Sequence, residues 1–371
     1  MKKKCLYVML IFALVMSVAL PVLAEADIKP GGPWITGTQE VKLEGFHNYE
    51  QLVRRLNQIE QSSGGGVELE VIGQSNLGRD IFMAKAGSGD KAVLIFTQQH
   101  GNEPHGTEAA LNLLQDLGSS GRPEFRQIRE ELTVYIVPRL NPDGAEPDVF
   151  WRFNIDPAAP PRNISEGFWT SAWGGGWDIN RYHWTDWTKS DLYANHPDTY
   201  PENPVPEAQA MVDAFLRVQP IWIIDVHNQG SFKSPDGKSV TSSIMWPNHP
   251  DVSEEAVNLS KQLCVAMMDQ MNQYGYAEVT RYPGSAIPNI ARNAYGLEGV
   301  GSVLIEIRAI GQKSIGMLNK HTYEQLYVML EKTADGSLFE LDPNRIDAEL
   351  PERGRSYRKV LPAEEAQDYV E

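Results

Sequence analysis

The chain has 371 residues, and its 33 Lys and Arg against 49 Asp and Glu give a formal net charge of −16. Hydrophobic residues make up 42% and charged residues 22%, a balance that is typical of globular proteins and excludes a disordered or fibrous chain. The acidic excess argues against nucleic acid as a partner, because that binding depends on basic side chains that contact phosphates. It argues equally against binding to a polyanionic membrane surface.

The first 24 residues have the composition of a secretory signal peptide. Lys2, Lys3 and Lys4 precede an apolar run that extends to Leu20, and the small residue Ala24 ends the segment. This order of charged, apolar and small residues predicts export and cleavage after Ala24. The alternative is an uncleaved membrane anchor. The apolar run disfavours it, because it is shorter than the ~20 residues of a spanning helix.

The predicted mature protein lies outside the cytoplasm, in the periplasm or the extracellular space, with no membrane span after cleavage. Of the 2 Cys, Cys5 leaves with the signal peptide, so Cys264 remains alone and no disulfide within the chain is possible. Residues 25–45 are rich in Pro and Gly and predict an extended lead-in. We predict one folded domain over 46–340 and a charged, peripheral tail over 341–371.

Beyond residue 45, apolar residues recur in alternating helical and strand patterns. Leu52, Leu56 and Ile59 fall three or four residues apart, which predicts a helix that begins near Tyr49. The patterns that follow predict, in chain order, strands at 67–72, 81–85 and 91–98, a helix at 107–117, a strand at 132–137, a helix at 206–218, a strand at 221–226, a helix at 252–274, a strand at 303–307 and a helix at 321–332. This alternation predicts an α/β fold, a mostly parallel mixed sheet with helices on both faces.

Metal-binding side chains follow two of the predicted strands. His100 and Glu103 lie three residues apart directly after the strand at 91–98, and His227 follows the strand at 221–226. Ligands gather at the carboxyl ends of strands in open α/β sheets. Two imidazoles and a carboxylate at one edge are a usual ligand set for catalytic zinc, so we predict a zinc site there.

Glu306 lies inside the apolar run VLIEI, with no charged neighbour before Arg308. An unpaired buried carboxylate is costly, so it must be neutral, paired or close to a metal. Burial also raises the pKa of such a group, which makes it a usable general base. The alternative is a structural ion pair with Arg308 or another Arg.

A third cluster, WDINRYHW, follows three consecutive glycines. Asp178 is placed to orient a metal-bound His. Arg181, beside Asn180, offers a planar fork that binds a carboxylate. The alternative is a surface charge pair.

These motifs resemble the zinc metallocarboxypeptidases of the carboxypeptidase A type, in the order HGNEP, NPDG, DINR, DVH and IEIR. The resemblance covers roughly residues 49–330 and makes 46–340 the catalytic domain. It implies that His100, Glu103 and His227 bind one zinc and that Glu306 is the general base. Asn180 and Arg181 would then hold the terminal carboxylate of a peptide, and Asp178 would support His100.

The resemblance implies two further roles, each with an alternative residue. The Arg that polarises the scissile carbonyl is expected to be Arg152, with Arg162 as the alternative, because residues 157–176 look like an insertion. The Tyr that caps the substrate is expected to be Tyr282, with Tyr295 as the alternative. The Trp residues of the insertion form either an aromatic rim for a substrate or, as we favour, a small core of their own.

The implied function is a secreted, zinc-dependent carboxypeptidase in which Glu306 activates a zinc-bound water. Its partner is a peptide with a free C-terminal carboxylate. Two alternatives remain open: a zinc amidase or deacylase of the aspartoacylase or succinylglutamate desuccinylase kind, and a non-enzymatic peptide- or glycan-binding module. The NPDG motif favours the carboxypeptidase. The preference for the C-terminal side chain stays open: Arg292 in the pocket would favour an acidic residue, whereas Arg292 facing solvent would leave Ala291 or Ala294 to line an apolar pocket.

Overall fold

The computed structural model describes residues 43–308 and 314–356. The predicted signal peptide and the lead-in up to residue 42 lie outside the described residues, as does the tail beyond residue 356. Within the described ranges, none of the helices combines the length and the apolar character needed to cross a membrane.

Helices and strands alternate along most of the described chain. The strands are β1 (Val67–Gln74), β2 (Asp80–Ala86), β3 (Lys91–Thr97), β4 (Leu132–Val137), β5 (Trp222–Asn228), β6 (Ser242–Met245), β7 (Val279–Arg281) and β8 (Gly301–Ile307). The helices are α1 (Tyr49–Ser62), α2 (His105–Ser119), α3 (Pro123–Glu131), α4 (Asp191–Asn195), α5 (Pro206–Val218), α6 (Glu254–Asn272), α7 (Ala291–Leu297), α8 (Ile315–Ala334) and α9 (Arg345–Glu349). Short 3₁₀ turns lie between them, including Ile179–Arg181.

The strands form one eight-stranded mixed sheet in the order β1-β2-β4-β3-β5-β8-β6-β7. Its centre is parallel, because β3 pairs in parallel with both β4 and β5, and β5 pairs in parallel with β8. The β1–β2 and β2–β4 pairs are antiparallel, as is the pair of β6 with β8. The predicted α/β class with a mixed sheet is therefore confirmed.

Helices cover both faces of the sheet, so its central strands are buried on both sides. Val93 and Ile95 of β3 pack in one apolar core with α1, α2, α3, α6 and α8. Leu94 and Phe96, which alternate with them along the strand, pack in a second core with α5 and α7. This arrangement explains why β3 is a continuous apolar run rather than an alternating one.

The apolar pattern missed five elements and part of the tail. The missed elements are β6, β7, α3, α4 and α7. β6 is short and begins with Ser242 and Ser243, which are buried despite being polar. Ile346 and Leu350, in the segment expected to be peripheral, are buried in the core instead. Their burial brings the residues that follow α9 onto the body of the domain.

Candidate metal centre and active site

The sheet brings three chemical groups to neighbouring strand ends. β5 lies between β3 and β8, and His227 of β5 pairs in register with Glu306 of β8. On the other side of β5, the chain leaves β3 at Thr97 and turns sharply at Gln98, whose φ is +52°. That left-handed conformation is uncommon for a residue other than glycine. It directs the following residues, which include His100, back over the end of β5.

Several hydrogen bonds hold Gln98 in this conformation. Its side-chain oxygen accepts hydrogen bonds from Thr107 Oγ1 and from Arg139 Nε, the latter at 2.8 Å. Its side-chain nitrogen donates to the carbonyl oxygen of Gly101 at 2.8 Å. Strained residues persist where surrounding contacts fix them, and they concentrate at functional sites. These hydrogen bonds therefore fix the turn after β3 in the conformation that the site requires.

Two residues of the NPDG motif, Asn141 and Gly144, contact the same turn. Asn141 donates from its side chain to the carbonyl oxygens of Gln99 and Phe153, at 3.2 and 3.0 Å. A Cβ atom on Gly101 would lie 2.1 Å from the backbone of Gly144, so the two loops approach too closely for a side chain there. The motif therefore acts as a backbone platform for the HGNEP turn.

His100, Glu103 and His227 converge on one point. The Nδ1 atoms of His100 and His227 are 3.0 Å apart, and they lie 3.0 and 2.8 Å from the two oxygens of Glu103. All three side chains are almost fully buried. Of the groups formed by described residues, these three side chains meet the geometric criterion for holding a metal ion.

The outward nitrogen of each imidazole faces a carboxylate. His100 Nε2 lies 3.0 Å from Asp178 Oδ1, and His227 Nε2 lies 2.8 Å from Asp225 Oδ2. A carboxylate at Nε2 favours a proton on that nitrogen, which leaves the Nδ1 lone pair directed inward. Two inward lone pairs and a carboxylate are the donor set of a catalytic zinc site, so these residues fit the ion that the sequence predicts.

Sequence reasoning missed Asp225 and the polar network behind it. The side chain of Gln99 donates to Asp225 Oδ2 at 2.6 Å and accepts from His183 Nε2 at 2.9 Å. His183 in turn contacts the hydroxyl of Tyr295 at 2.8 Å. Asp225 was detectable in the sequence, because residues two apart on a strand point to the same face. Gln99 and His183 carried no comparable pattern.

Charges around the cluster keep its carboxylates ionised. Burial would raise the pKa of Glu103, but His100 and His227 lower it below its usual range. Burial opposes ionisation of Asp178 too, yet Arg152, Arg181 and His100 hold its pKa well below the usual value. The imidazoles and the two arginines thus supply positive charge to these buried carboxylates, and a divalent cation held by His100, Glu103 and His227 would supply it to Glu103 in place of the protons on the imidazoles.

The carboxyl group of Glu306 lies in a different electrostatic setting. Burial raises its pKa to about 7, with a further increase from Glu103, while His227 and Arg353 oppose the rise. Its Oε2 atom is buried and has no hydrogen-bond partner among the described residues. A carboxylate poised near neutral pH, with a free oxygen beside the cluster, has the properties of a general base.

Arg152 and Arg162, the two alternatives for one role, lie in different surroundings. Arg152 Nη2 donates to Asp178 Oδ2 at 3.1 Å, and its Nη1 lies 3.9 Å from Glu103 Oε1. Arg162 lies over the ring of Trp169, at 5.8 Å from the ring centroid. The contacts with Glu103 and Asp178 place Arg152 next to the group formed by His100, Glu103 and His227.

Asn180 and Arg181 lie on the adjoining 3₁₀ turn. The side chain of Asn180 accepts a hydrogen bond from the backbone N–H of Ala291 at 2.9 Å, and its nitrogen lies 3.4 Å from His227 Nε2. Arg181 is buried, and its guanidinium lies over the ring of Trp169 at 5.1 Å. These contacts fix both side chains beside the group formed by His100, Glu103 and His227.

The two candidate tyrosines are placed very differently. Tyr295 is fully buried in the second core, where its hydroxyl contacts His183, so it is not available to a substrate. Tyr282 follows β7, and its ring is covered by the guanidinium of Arg353 at 4.4 Å. Tyr282 is also buried, with 5% of its surface exposed, and it contacts Arg353 rather than His183.

Arg292 is buried, with 3% of its surface exposed, so it does not face solvent. Its Nη2 donates to Asn248 Oδ1 at 3.1 Å and to the carbonyl oxygen of Ser285 at 2.9 Å, and its Nε has no partner among the described residues. Burial lowers its pKa to about 10, against the influence of Asp225 and Glu306. No described carboxylate forms an ion pair with it.

The Trp-rich segment, residues 168–187, packs against the second core. Trp177 is almost fully buried, and it contacts Phe168, Tyr182 and Tyr200 at centroid distances of 6.2, 5.3 and 5.9 Å. Trp173 is the exception, because 79% of its surface is exposed. The favoured interpretation, a small core of their own, is wrong: Trp177 lies in the second core with Leu94 and Phe96 of β3, and Trp169 and Trp187 pack against the same core.

Comparison with known proteins decides the family. The sequence profile of the zinc carboxypeptidases matches residues 52–335. The chain belongs to the zinc carboxypeptidase family. The match includes the turn after β3, the 3₁₀ turn, β5 and β8, which together carry the candidate site.

Relatives share this fold at low identity. The zinc carboxypeptidase of Saccharothrix mutabilis subsp. capreolus is 28% identical over 160 residues, which are 37% of this chain and 36% of the relative. The alignment thus spans about a third of that protein. A putative carboxypeptidase A from Shewanella denitrificans is 18% identical, with a TM-score of 0.55 over 78% of this chain and 69% of that one. Carboxypeptidase A from Helicoverpa armigera is 16% identical, with a TM-score of 0.57 over 79% and 74%.

Proposed function

We propose that this protein is an exported, zinc-dependent carboxypeptidase that hydrolyses the C-terminal peptide bond of peptides. The observation that carries the proposal is the convergence of His100, Glu103 and His227 beside the buried carboxyl group of Glu306. A metal-binding triad and a base that titrates near neutral pH are what metal-assisted hydrolysis of an amide requires.

In this proposal His100, Glu103 and His227 hold one Zn²⁺ per chain. The ion supplies acidity to water and polarises the scissile carbonyl when it is bound. Asp178 and Asp225 do not bind the ion themselves; they hold the two imidazoles in the tautomer that binds metal. Residues in such supporting positions typically change metal affinity 10–100-fold when they are replaced.

Glu306 accepts the proton of the attacking water and passes it to the leaving amine. Its free Oε2 atom and its raised pKa of about 7 suit both steps. Arg152, held by Asp178, directs its guanidinium at the position where negative charge develops on the carbonyl oxygen. Fixed donors at a developing oxyanion are among the largest contributions to catalysis.

Arg181 and Asn180 bind the carboxylate of the C-terminal residue, and Tyr282 closes over it. A guanidinium provides two parallel N–H donors, which match a carboxylate. The turn and Ala291 hold Asn180 in place, and stacking on Trp169 supports Arg181. The requirement for a free carboxylate makes the enzyme an exopeptidase.

Arg292 selects an acidic side chain on the residue that is released. It is buried, it lacks a carboxylate partner among the described residues, and the charge of Arg181 lowers its pKa further, as expected of neighbouring cations. A carboxylate from the substrate would compensate its charge in a way that no described residue does. Export, which the N-terminal 24 residues predict, would place the enzyme in the periplasm or outside the cell.

The decisive experiment combines metal analysis with product analysis of the purified mature protein. We expect about one zinc per chain, loss of hydrolysis with a chelator, and recovery with zinc. The substrates are a blocked dipeptide and an N-acyl amino acid that share the same free C-terminal residue. Release of the amino acid from the dipeptide supports the carboxypeptidase, whereas release from the N-acyl amino acid alone would show a deacylase. Active protein without zinc would overturn the metal assignment.

A further inference from the structure

The C-terminal segment, residues 351–356, is fastened to the active-site side of the domain from two directions. On one side, Arg281 donates its backbone N–H to the carbonyl oxygen of Pro351 at 2.7 Å, and Arg353 donates back to Arg281 at 3.0 Å. On the other side, Gly354 donates to Lys233 at 2.8 Å, and Lys233 donates to Arg355 at 3.0 Å. The segment thus runs between the end of β7 and the loop that follows β5.

This path holds the guanidinium of Arg353 in a fixed position. The group lies between two aromatic rings, 3.8 Å from the centroid of Phe232 and 4.4 Å from that of Tyr282. Its Nη1 donates to Gln229 Oε1 at 2.9 Å, and Gln229 Nε2 donates to the carbonyl oxygen of Glu306 at 3.1 Å. One side chain therefore separates Arg353 from the strand that carries the proposed base.

Arg353 differs from the arginines that stabilise the surface of this chain. Arg345 forms paired hydrogen bonds with Asp269, and Arg217 forms them with Glu70. Arg353 has no carboxylate partner among the described residues, although it is half-buried. Burial lowers its pKa to about 10, and Glu306 is the charged group that opposes this change. A guanidinium that only fastened the segment would gain more from a carboxylate partner of its own.

We propose that the C-terminal segment completes one wall of the catalytic cleft and that Arg353 binds a carboxylate of the peptide substrate upstream of the scissile bond. The ligand is an acidic side chain on one of the two residues that precede that bond. The upstream side is indicated because Arg292 adjoins Ala291, whose backbone N–H binds Asn180 in the proposed site of the terminal carboxylate, whereas Arg353 lies apart from it between Phe232 and Tyr282. The inference rests on the proposed carboxypeptidase function and extends it to acidic peptides.

The test uses blocked peptides that end in Phe and carry either Glu or the isosteric Gln at each of the two upstream positions. The ratio of kcat/KM for Glu over Gln is measured for the zinc-loaded wild type, Arg353→Met and Arg353→Lys. We expect a ratio of about ten or more at one position in the wild type, which is the effect of losing a hydrogen bond to a charged group. The ratio should fall to about one in Arg353→Met and recover in part in Arg353→Lys. Arg355→Met, two residues along the same segment and exposed, should keep the wild-type ratio.

Binding of the same peptides to Glu306→Gln, measured by calorimetry, separates this inference from the proposed function. Absence of hydrolysis in the wild type would refute the proposed carboxypeptidase function. The anion site would still stand if Glu306→Gln binds the Glu peptide more tightly than the Gln peptide and if adding Arg353→Met removes this preference. A wild-type ratio of one at both positions would overturn the role of Arg353. So would a ratio that Arg353→Met leaves unchanged while the variant melts at the wild-type temperature.

Discussion

Asp225 Oδ2 lies 2.8 Å from His227 Nε2, and the two residues are neighbours on one face of β5. The same strand therefore supplies a proposed metal ligand and the carboxylate that orients it. Asp178 performs the matching task for His100 from a distant part of the chain. Together the two carboxylates turn both imidazoles so that their Nδ1 atoms face Glu103.

We predict that Asp225→Asn weakens zinc binding about 10–100-fold, because an amide no longer stabilises the proton on His227 Nε2. The affinity is measured by competition with a chelating dye. Asp213→Asn, an exposed position on α5, is the matched control and should bind zinc like the wild type. Equal affinities in the two variants would show that Asp225 does not support the metal.

Glu306→Gln should retain zinc and the fold but lose hydrolysis by at least ~10²–10⁴-fold, since an amide cannot accept the proton of the attacking water. Metal content, circular dichroism and kcat/KM are compared with those of the wild type. Glu340→Gln, at an exposed position, serves as the control. Turnover close to normal in Glu306→Gln would remove this residue from the mechanism.

Arg292→Met should lower the preference for a C-terminal acidic residue. The relevant quantity is kcat/KM for peptides that end in Glu, relative to those that end in Gln or Phe. We expect the wild type to favour Glu and the variant to lose about tenfold of that preference, as for the loss of a hydrogen bond to a charged group. The contrary result is a low wild-type ratio of kcat/KM for peptides ending in Glu over those ending in Phe, with no change in Arg292→Met. This result would show that Arg292 does not set the side-chain preference.

Glu207 gives a prediction for stability that is independent of catalysis. It is fully buried at the start of α5, and burial raises its pKa to about 7, although Asn154 donates a hydrogen bond to it. The folded-state pKa lies above the unfolded value, so the folded chain keeps a proton that the unfolded chain releases. Stability from this group is complete below about pH 4.5 and falls as the pH rises towards 7.

Glu207→Gln removes this titration while keeping an acceptor for Asn154. We therefore compare the free energy of unfolding of the variant with that of the wild type at two pH values. The difference should favour the variant more at pH 8 than at pH 4.5, by on the order of 2–3 kcal/mol. Urea unfolding at the two pH values measures the difference. A gap between variant and wild type that is the same at both values would mean that Glu207 does not titrate on unfolding.

The class of the fold follows from local patterns of apolar residues. Continuous apolar runs such as β3 and β5 can only be satisfied by burial on both faces, and the helical periods between them supply the cover. The same local logic identified His100, Glu103 and His227, because residues that follow parallel strands meet at one edge of a sheet. These features depend on spacing along a short stretch of chain, and spacing is visible in a sequence.

Contacts between side chains far apart in the sequence are visible only in the tertiary structure. Arg353 contacts Tyr282, and Arg152 contacts Asp178, across long stretches of chain that no periodic pattern links. Arg292 is buried without a described carboxylate partner, which no pattern indicates either. The packing of Ile346 and Leu350 brings the C-terminal segment to the site, although its composition is that of a solvated tail. Such contacts depend on how elements pack in three dimensions, and their physical cause, the burial of surface shared by distant residues, leaves no local trace in the sequence.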